Sequence, residues 1–242
     1  MSTRWDLADD IAPEELEAYK AAATSPAAAE TFRRLTQELP LEEMAGLGAH
    51  SLEPLEAVVR RIKPRRILEV GFGAGASATM FLALTSTVSG TVLSIDWTEN
   101  WRVMLAALRM ERRYHPRFTF CHGESRIVLP KMTATFDLAF IDGAHDLDTV
   151  TSDLDGVIRL GVPWVLMDDW WPLLGPGVRP AVEARPELRL AEQWGNLVLL
   201  SCREAAETPR VPQDEPVEGS LSSRSPRPPQ RPPAPRPARR EA

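Results

Sequence analysis

From Arg66 onward the chain alternates between short apolar runs and segments with helical spacing. The apolar runs are RILEV at 66–70, TVLSID at 91–96, FTFCH at 118–122, FDLAFID at 136–142 and WVLMDD at 164–169. Helical segments fill the intervals, at 77–85, 100–114, 125–131 and 147–160. Strands that alternate with helices of this length predict βαβ units and a parallel sheet buried on both faces. LRLAEQW and NLVLLSC, which flank Gly195, predict a closing hairpin-type pair.

Two regions flank this alternation and differ from it. Residues 1–62 predict helices, because EELEAYKAAA, PAAAETFRRLTQEL and SLEPLEAVVRRI carry apolar residues at helical spacing, the last two after the capping candidates Ser25 and Ser51. We expect this extension to be a lid or dimerisation arm, with a simple packing extension as the alternative. Residues 204–242 are rich in Pro, Ser and Arg and predict a disordered, polyproline-like tail. The central domain then spans 63–203.

Composition and charge exclude several classes of protein. The net charge of the 242 residues is −6, and the Arg-rich segment from Leu221 onward contributes +5, so residues 1–220 carry −11. An acidic core repels phosphate, which argues against general nucleic-acid binding, although the Arg/Pro tail could contact an unknown partner. Two cysteines are too few for a disulfide scaffold. Without a signal core or a membrane-length apolar run, a cytoplasmic protein with no membrane contact is expected.

The stretch EVGFGAG separates the first predicted strand from a helix. Gly71, Gly73 and Gly75 allow a sharp turn and close approach to a ligand, while the following helix presents unpaired N–H groups. With Ala76 the stretch also fits the loose dinucleotide pattern, so a nicotinamide or flavin enzyme is an alternative. A purely structural tight turn is a further, minor alternative.

Two acids near this loop suggest which ligand it holds. Asp96 ends the second strand 21 residues after Gly75, where a carboxylate can accept both hydroxyls of a ribose. Glu69 places negative charge near the loop, which disfavours a pyrophosphate and suits a ligand that carries an amino group and a sulfonium. The sequence therefore favours a nucleoside ligand of that kind.

Residues 60–202 resemble the class I S-adenosylmethionine (SAM)-dependent methyltransferases. More narrowly, ILEVGFGAGAS and GESRIVLP are similar to motifs of the metal-dependent small-molecule O-methyltransferases, typified by catechol O-methyltransferase and related bacterial enzymes for sugars and natural products. The resemblance implies a Rossmann-like α/β fold, with a mostly parallel seven-stranded sheet whose last strand is antiparallel. It also implies helices on both faces and an N-terminal helical extension.

The same resemblance implies a residue-by-residue cofactor site. The glycine loop and Ser77 would hold the methionine part of SAM, and Asp96 the ribose. Trp97 stands where an apolar side chain packs on adenine. Glu124 and Ser125 fall at the positions that contact the adenine edge.

Carboxylates end the fourth and fifth apolar runs, at Asp142, Asp168 and Asp169. Ligands bind outside the carboxyl ends of parallel strands, and carboxylates gathered there repel one another unless a cation lies between them. Oxygen ligands suit Mg²⁺, and in the resembling family these positions hold it. For any single aspartate, an exposed loop position or a helix cap is the alternative.

His145 follows Asp142 by three residues, where the catechol enzyme carries the basic side chain that takes the substrate proton. An imidazole that titrates near neutrality is a suitable base for a hydroxyl activated by a metal. Asp146 is the alternative base, and a solvent-exposed or helix-capping histidine is the structural alternative. Trp170 and Trp171 either wall the substrate site or pack beneath the N-terminal helices.

The resemblance thus implies a SAM- and Mg²⁺-dependent enzyme that O-methylates a hydroxyl of a small molecule, such as a secondary metabolite, sugar or phenol. Asp142 and His145 would be its catalytic residues. The alternatives are a metal-independent O- or N-methyltransferase, a nucleotide-dependent oxidoreductase, and a non-catalytic interaction protein that retains the fold. A homodimer through the N-terminal helices is a further expectation. The methyl acceptor is not identified by these patterns.

Overall fold

One seven-stranded sheet organises the chain in its computed structural model, which describes residues 13–37, 39 and 47–202. The strands are β1 Arg66–Val70, β2 Thr91–Asp96, β3 Phe118–His122, β4 Leu138–Ile141, β5 Trp164–Met167, β6 Leu188–Trp194 and β7 Leu197–Cys202. They lie in the order β3-β2-β1-β4-β5-β7-β6. β7 runs antiparallel to both β5 and β6, and the other neighbouring pairs are parallel. The predicted sheet with an antiparallel last strand is confirmed.

Eight α-helices lie within the described residues. They are α1 Pro13–Ala23, α2 Pro26–Thr36, α3 Leu52–Ile62, α4 Ala76–Leu84, α5 Trp101–Tyr114, α6 Ser125–Val128, α7 Leu147–Arg159 and α8 Val178–Glu183. Short 3₁₀ turns occupy Ala49–Ser51, Ser86–Val88 and Leu129–Lys131. None of the described helices is both long and apolar enough to cross a bilayer.

Helix caps explain where the N-terminal helices begin. The Ser25 Oγ accepts a hydrogen bond from the Ala28 N–H at 3.1 Å, as expected for a capping serine. Ser51 occupies the corresponding position before α3, but its side chain makes no capping hydrogen bond. The helices predicted within 1–62 are therefore present from residue 13 onward, and residues 1–12 lie outside the described part of the chain. The tail predicted at 204–242 also lies outside it.

Alternation along the strands separates two apolar layers. In β1 and β4, Leu68 and Ala139 belong to the layer beneath α7 and α8, whereas Ile67 and Phe140 belong to the layer beneath α3, α4 and α5. Successive side chains of a strand point to opposite faces of the sheet. When helices cover both faces, both sets of side chains are buried, and the sequence of each strand is therefore a nearly continuous apolar run. The predicted helices on both faces are confirmed.

The strand order reverses between β1 and β4. From β1 the chain continues outward to β2 and β3, and from β4 it continues in the opposite direction to β5. In open α/β sheets, ligands bind outside the carboxyl ends of the strands at such a switch point. The loops after β1 and β4 meet there.

Candidate active site

The glycine loop after β1 packs directly against the end of β4. Gly71, Gly73 and Gly75 have φ angles of 92°, 51° and 83°, in the left-handed region that favours glycine. A Cβ atom on Gly71 would lie 2.0 Å from the Asp142 carbonyl oxygen. The sequence needs glycine here because the backbones of the two loops touch at the switch point.

Asp96, at the end of β2, holds the loop in place. Its Oδ2 accepts hydrogen bonds from the N–H groups of Phe72 and Gly73, each at 3.0 Å. Its Oδ1 accepts one from the Thr98 N–H at 2.9 Å. A carboxylate has about four lone-pair sites, so Asp96 can still accept hydrogen bonds from a ligand. The predicted ribose-binding acid is thus also a support for the glycine loop.

Glu69 lies beneath the loop rather than in the wall of the cavity. It is fully buried, and its carboxylate accepts hydrogen bonds from the hydroxyls of Ser77, at 2.5 Å, and Ser94. Burial raises the pKa of Glu69 to about 7, although both serines oppose the shift. Glu69 therefore orients Ser77, which does line the cavity.

The residues predicted to contact adenine lie along the neighbouring strand ends. Asp96 is in register with His122 of β3, and the Gly123 N–H donates to the Asp96 carbonyl at 2.8 Å. Trp97 is 63 % exposed, so a large apolar surface faces solvent beside Asp96. Glu124 forms an ion pair with Arg126 at 2.5 Å, and Ser125 begins α6. These residues form an open edge next to the loop.

The three predicted metal ligands line one cavity at the ends of β4 and β5, but among the described residues the group with metal-ligand spacing contains Asp142 and Asp169 without Asp168. Asn196, in the turn between β6 and β7, donates from Nδ2 to Asp168 Oδ1 at 3.1 Å and to Asp169 Oδ1 at 2.8 Å. The Asn196 carbonyl and Oδ1 also accept hydrogen bonds from the N–H groups of Trp170 and Trp171, each at 3.0 Å. Asn196 fixes the loop that carries both acids, and our sequence analysis missed it.

His145 lies among these acids. Its Nε2 is 2.9 Å from Asp169 Oδ2 and 4.0 Å from Asp142 Oδ1. One ligand atom each from Asp142, His145 and Asp169 lie within 4.8 Å of one another, a spacing that could hold a metal ion. The geometry therefore offers His145 two roles, as a base or as a ligand.

The carboxylates of this cluster differ in pKa. Burial and the charges of Asp168 and Asp169 raise the pKa of Asp142 well above its usual range. Burial and the charge of Asp169 raise the pKa of Asp168 to about 7. Burial also acts to raise the pKa of Asp169, but the interactions with His145 and Asn196 outweigh it and lower that pKa. Carboxylates that repel one another in this way favour a cation between them.

Residues 68–177 match the model of a protein family described as a methyltransferase domain. This segment is a methyltransferase domain. The O-methyltransferase hkm8 of Aspergillus hancockii is 26 % identical over 143 residues, an alignment that covers 52 % of this chain and 57 % of that protein. The chain thus spans little more than half the length of this curated relative.

Solved methyltransferases share the fold. The SAH-bound methyltransferase PaMTH1 from Podospora anserina has a TM-score of 0.60 at 16 % identity, and the match covers 81 % of this chain and 99 % of that one. The O-methyltransferase TomG from Streptomyces achromogenes, described as involved in tomaymycin synthesis and solved in complex with SAM, has a TM-score of 0.55 at 22 % identity, covering 78 % and 96 %. The predicted class I methyltransferase architecture is confirmed, and the family match favours it over a nicotinamide or flavin enzyme.

A cavity of about 360 Å³ opens between the glycine loop and the acids of the methyltransferase domain. Ser77, Asp142, His145 and both acids after β5 are among the residues that line it. Lys20 of α1, with Leu47 and His50 from the segment before α3, also lines it. Lys20 and His50 were not predicted as site residues, because nothing in a helical pattern distinguishes a cavity-facing lysine from a solvated one.

Both tryptophans of the methyltransferase domain pack into its core. Trp170 is 1 % exposed and Trp171 is 5 % exposed, and both belong to the layer beneath α7 and α8. Neither is among the residues that line the cavity. Of the two interpretations of this pair, packing is the correct one, although the partners are core residues under α7 and α8 rather than the N-terminal helices.

Asp146, the alternative base, caps α7. Its Oδ1 accepts a hydrogen bond from the Thr149 N–H at 3.0 Å, and that bond is the largest cause that lowers the pKa of Asp146. A carboxylate engaged in this way is a weaker proton acceptor than a free one. Since Asp146 is also not among the residues that line the cavity, the geometry favours His145.

Proposed function

We propose that this chain is a SAM-dependent O-methyltransferase that modifies a hydroxyl group of a small molecule and uses a divalent cation, Mg²⁺, to do so. The observation that carries the proposal is the convergence of three strand-end carboxylates beside a glycine loop, within one cavity of a methyltransferase domain. The O-methyltransferase relative and the SAM- and SAH-bound structural neighbours support it.

The residues around the glycine loop fit the cofactor. Gly71 and Gly73 of the loop line the cavity, and so does Ser77. Asp96 would accept the ribose hydroxyls, and Trp97 would cover the adenine, with Glu124 and Ser125 at its edge. When bound, SAM supplies the methyl group.

The acids at the ends of β4 and β5 fit a hard divalent cation. Asp142, Asp168 and Asp169 would hold it with carboxylate oxygens, the donors that Mg²⁺ prefers. Their mutual repulsion is the physical reason why a cation would be bound. Such an ion, when present, lowers the pKa of a coordinated hydroxyl.

His145 would accept the proton of the acceptor hydroxyl. Only its neutral form can do this, and the interaction with Asp169 is the largest cause that raises the pKa of His145. Asp169 Oδ2 lies 2.9 Å from the imidazole Nε2, in ion-pair contact with His145 when the imidazole is protonated. Most of the acceleration would come from positioning the reactants, a contribution worth roughly 7–11 kcal/mol in well-aligned systems.

The N-terminal helices within residues 1–62 would serve as a lid over the domain of residues 63–203. Lys20, Leu47 and His50 already line the cavity. A closed lid excludes water and strengthens the electrostatic interactions inside. A homodimer through the same helices, and a partner for the 204–242 tail, remain separate proposals.

The test is calorimetric titration of the purified chain with SAM and SAH, with Mg²⁺ and then with EDTA. We expect micromolar cofactor binding that Asp96→Ala abolishes, and Mg²⁺ binding that Asp142→Ala abolishes while cofactor binding survives. Cofactor binding with turnover that is insensitive to EDTA would replace the metal proposal with a metal-independent methyltransferase. No binding of either cofactor would refute the proposed activity and favour a non-catalytic interaction protein or, if NAD(P)H binds, an oxidoreductase.

A further inference from the structure

The cavity has a second polar side that the proposed chemistry does not use. Lys20 comes from α1 and His50 from the 3₁₀ turn before α3, and both face the space between the glycine loop and the strand-end acids. Leu47 is an apolar residue of the same lining. This side, defined by Lys20, Leu47 and His50, is called the cap wall below.

Lys20 brings one positive charge to the cap wall. Its charge is close enough to Asp168 and Asp169 to contribute to lowering the pKa of both carboxylates. The Lys20 Nζ donates to Glu17 Oε1 at 3.1 Å, but that glutamate side chain is 74 % exposed. Ion pairs this exposed contribute little free energy, and an ammonium has three donors. Lys20 can therefore also donate to a ligand in the cavity.

His50 supplies a neutral polar group beside this charge. The His50 side chain is partly buried, and burial, followed by the charge of Lys20, lowers its pKa. At neutral pH the imidazole is then uncharged, with one nitrogen able to donate a hydrogen bond. One ammonium and one neutral donor match the charge and the two oxygens of a carboxylate.

We propose that the cap wall binds a carboxylate carried by the methyl acceptor, so that the substrate is a small hydroxylated carboxylic acid. This inference rests on the proposed function, because the hydroxyl of the same molecule would lie at Asp142 and His145. A monoanion fits better than a phosphate dianion, since only one lysine offsets the charges of the three acids that line the same cavity.

The size of the cavity supports a small acceptor. Its volume of about 360 Å³ is shared with the methionine part of the cofactor, since the glycine loop forms part of its lining. Ligand sites typically occupy about 300–1,000 Å³, so this space is at the lower end. A molecule with a single ring that carries adjacent hydroxyls and a carboxylate has the appropriate size.

The test uses two acceptors that differ only in charge, 3,4-dihydroxybenzoate and 3,4-dihydroxybenzamide. Each is titrated calorimetrically into full-length protein saturated with SAH and Mg²⁺. We expect the acid to bind at least tenfold more tightly than the amide. Lys20→Met should reduce this ratio to within twofold of unity, while Lys20→Arg should retain part of the preference.

Glu17→Gln is the matched control, because it breaks the exposed ion pair but keeps the ammonium of Lys20. It should preserve or increase the preference for the acid. Equal binding of acid and amide by the unmodified chain, an unchanged ratio in Lys20→Met, or binding of neither acceptor to the SAH complex would overturn the carboxylate subsite. Failure of SAH itself to bind would instead remove the proposed function together with this inference, so the two failures are distinguishable.

Discussion

Asp153 is a core-facing aspartate of α7 whose ionisation should destabilise the fold. It is 0 % exposed, and within the described residues neither carboxylate oxygen has a hydrogen bond of normal geometry. Its Oδ2 lies 3.9 Å from the position that a Cβ on Gly143 would occupy. Burial, with the charge of Asp146, raises the pKa of Asp153 to about 6 from an ordinary value of 3.8, although the nearby Ser125 hydroxyl opposes the shift.

The sign and size of the effect follow from this raised pKa. Because the folded protein holds the Asp153 proton more tightly than the unfolded chain does, stability is lost as the pH rises from about 4 to about 6. A shift of about two pKa units corresponds to roughly 3 kcal/mol in the free energy of unfolding. About 2 kcal/mol of this should be lost between pH 4.5 and pH 7.5, since the unfolded chain is already partly ionised at the lower pH.

The assay is urea unfolding of the cofactor-free chain and of Asp153→Asn, followed by tryptophan fluorescence at both pH values. The variant is neutral throughout, so its stability relative to the unmodified chain should increase by about 2 kcal/mol from pH 4.5 to pH 7.5. Glu69 and Asp168 titrate in both proteins, so their effects cancel in this difference. Asp148→Asn, an exposed position on the same helix, is the control. A difference between variant and unmodified chain that is constant with pH would refute the argument.

Three further predictions concern the site itself. Asp142→Asn should abolish Mg²⁺-dependent turnover while SAH affinity, measured by calorimetry, stays within a few-fold; parallel loss of both would contradict its assignment as a metal ligand. His145→Ala should lower turnover about 10²–10⁴-fold. Asp169 raises the pKa of His145, so turnover of the unmodified enzyme should increase with pH as His145 loses its proton around that raised pKa. The variant should lack this increase. Gly71→Ala should weaken SAH binding more than tenfold, because its Cβ would meet the Asp142 carbonyl at 2.0 Å. Gly161→Ala, with a φ of 67° but open space around its Cβ, controls for backbone strain alone, and equal effects of the two alanines would contradict the close-packing argument.

The parallel strands could be predicted from sequence because their signal is local. β1, β2 and β3 coincide with the predicted runs at 66–70, 91–96 and 118–122. The last two parallel runs are shorter than predicted, because β4 ends at Ile141 and β5 at Met167, before the acids. α8 was not predicted, because its six residues follow a proline-rich loop and are too few to show a helical period.

Individual roles were less predictable than the positions of the site residues. Asp96 was expected to serve the ribose, yet its carboxylate also accepts hydrogen bonds from the loop backbone. Glu69 was expected to act on the ligand through its charge, but the folded chain buries it under Ser77 and raises its pKa to about 7. In both cases the residue type and strand end were sufficient to locate the side chain. The contacts of each of these side chains depend on how separate loops pack together, and local sequence patterns do not show this.

Asn196 shows that part of the missing information was available in the predicted topology. An antiparallel last strand begins at the edge of the sheet where its parallel neighbours end. β7 therefore starts beside the end of β5, as the register of Val198 with Met167 shows. The turn that precedes β7 must then lie next to the acids after β5, and an amide in that turn is in position to donate to both of them. The positions of Lys20 and His50 do not follow from the topology in this way, because the strand order does not determine where the helices before β1 lie relative to the sheet. Only the folded chain identifies these two residues as part of the cavity.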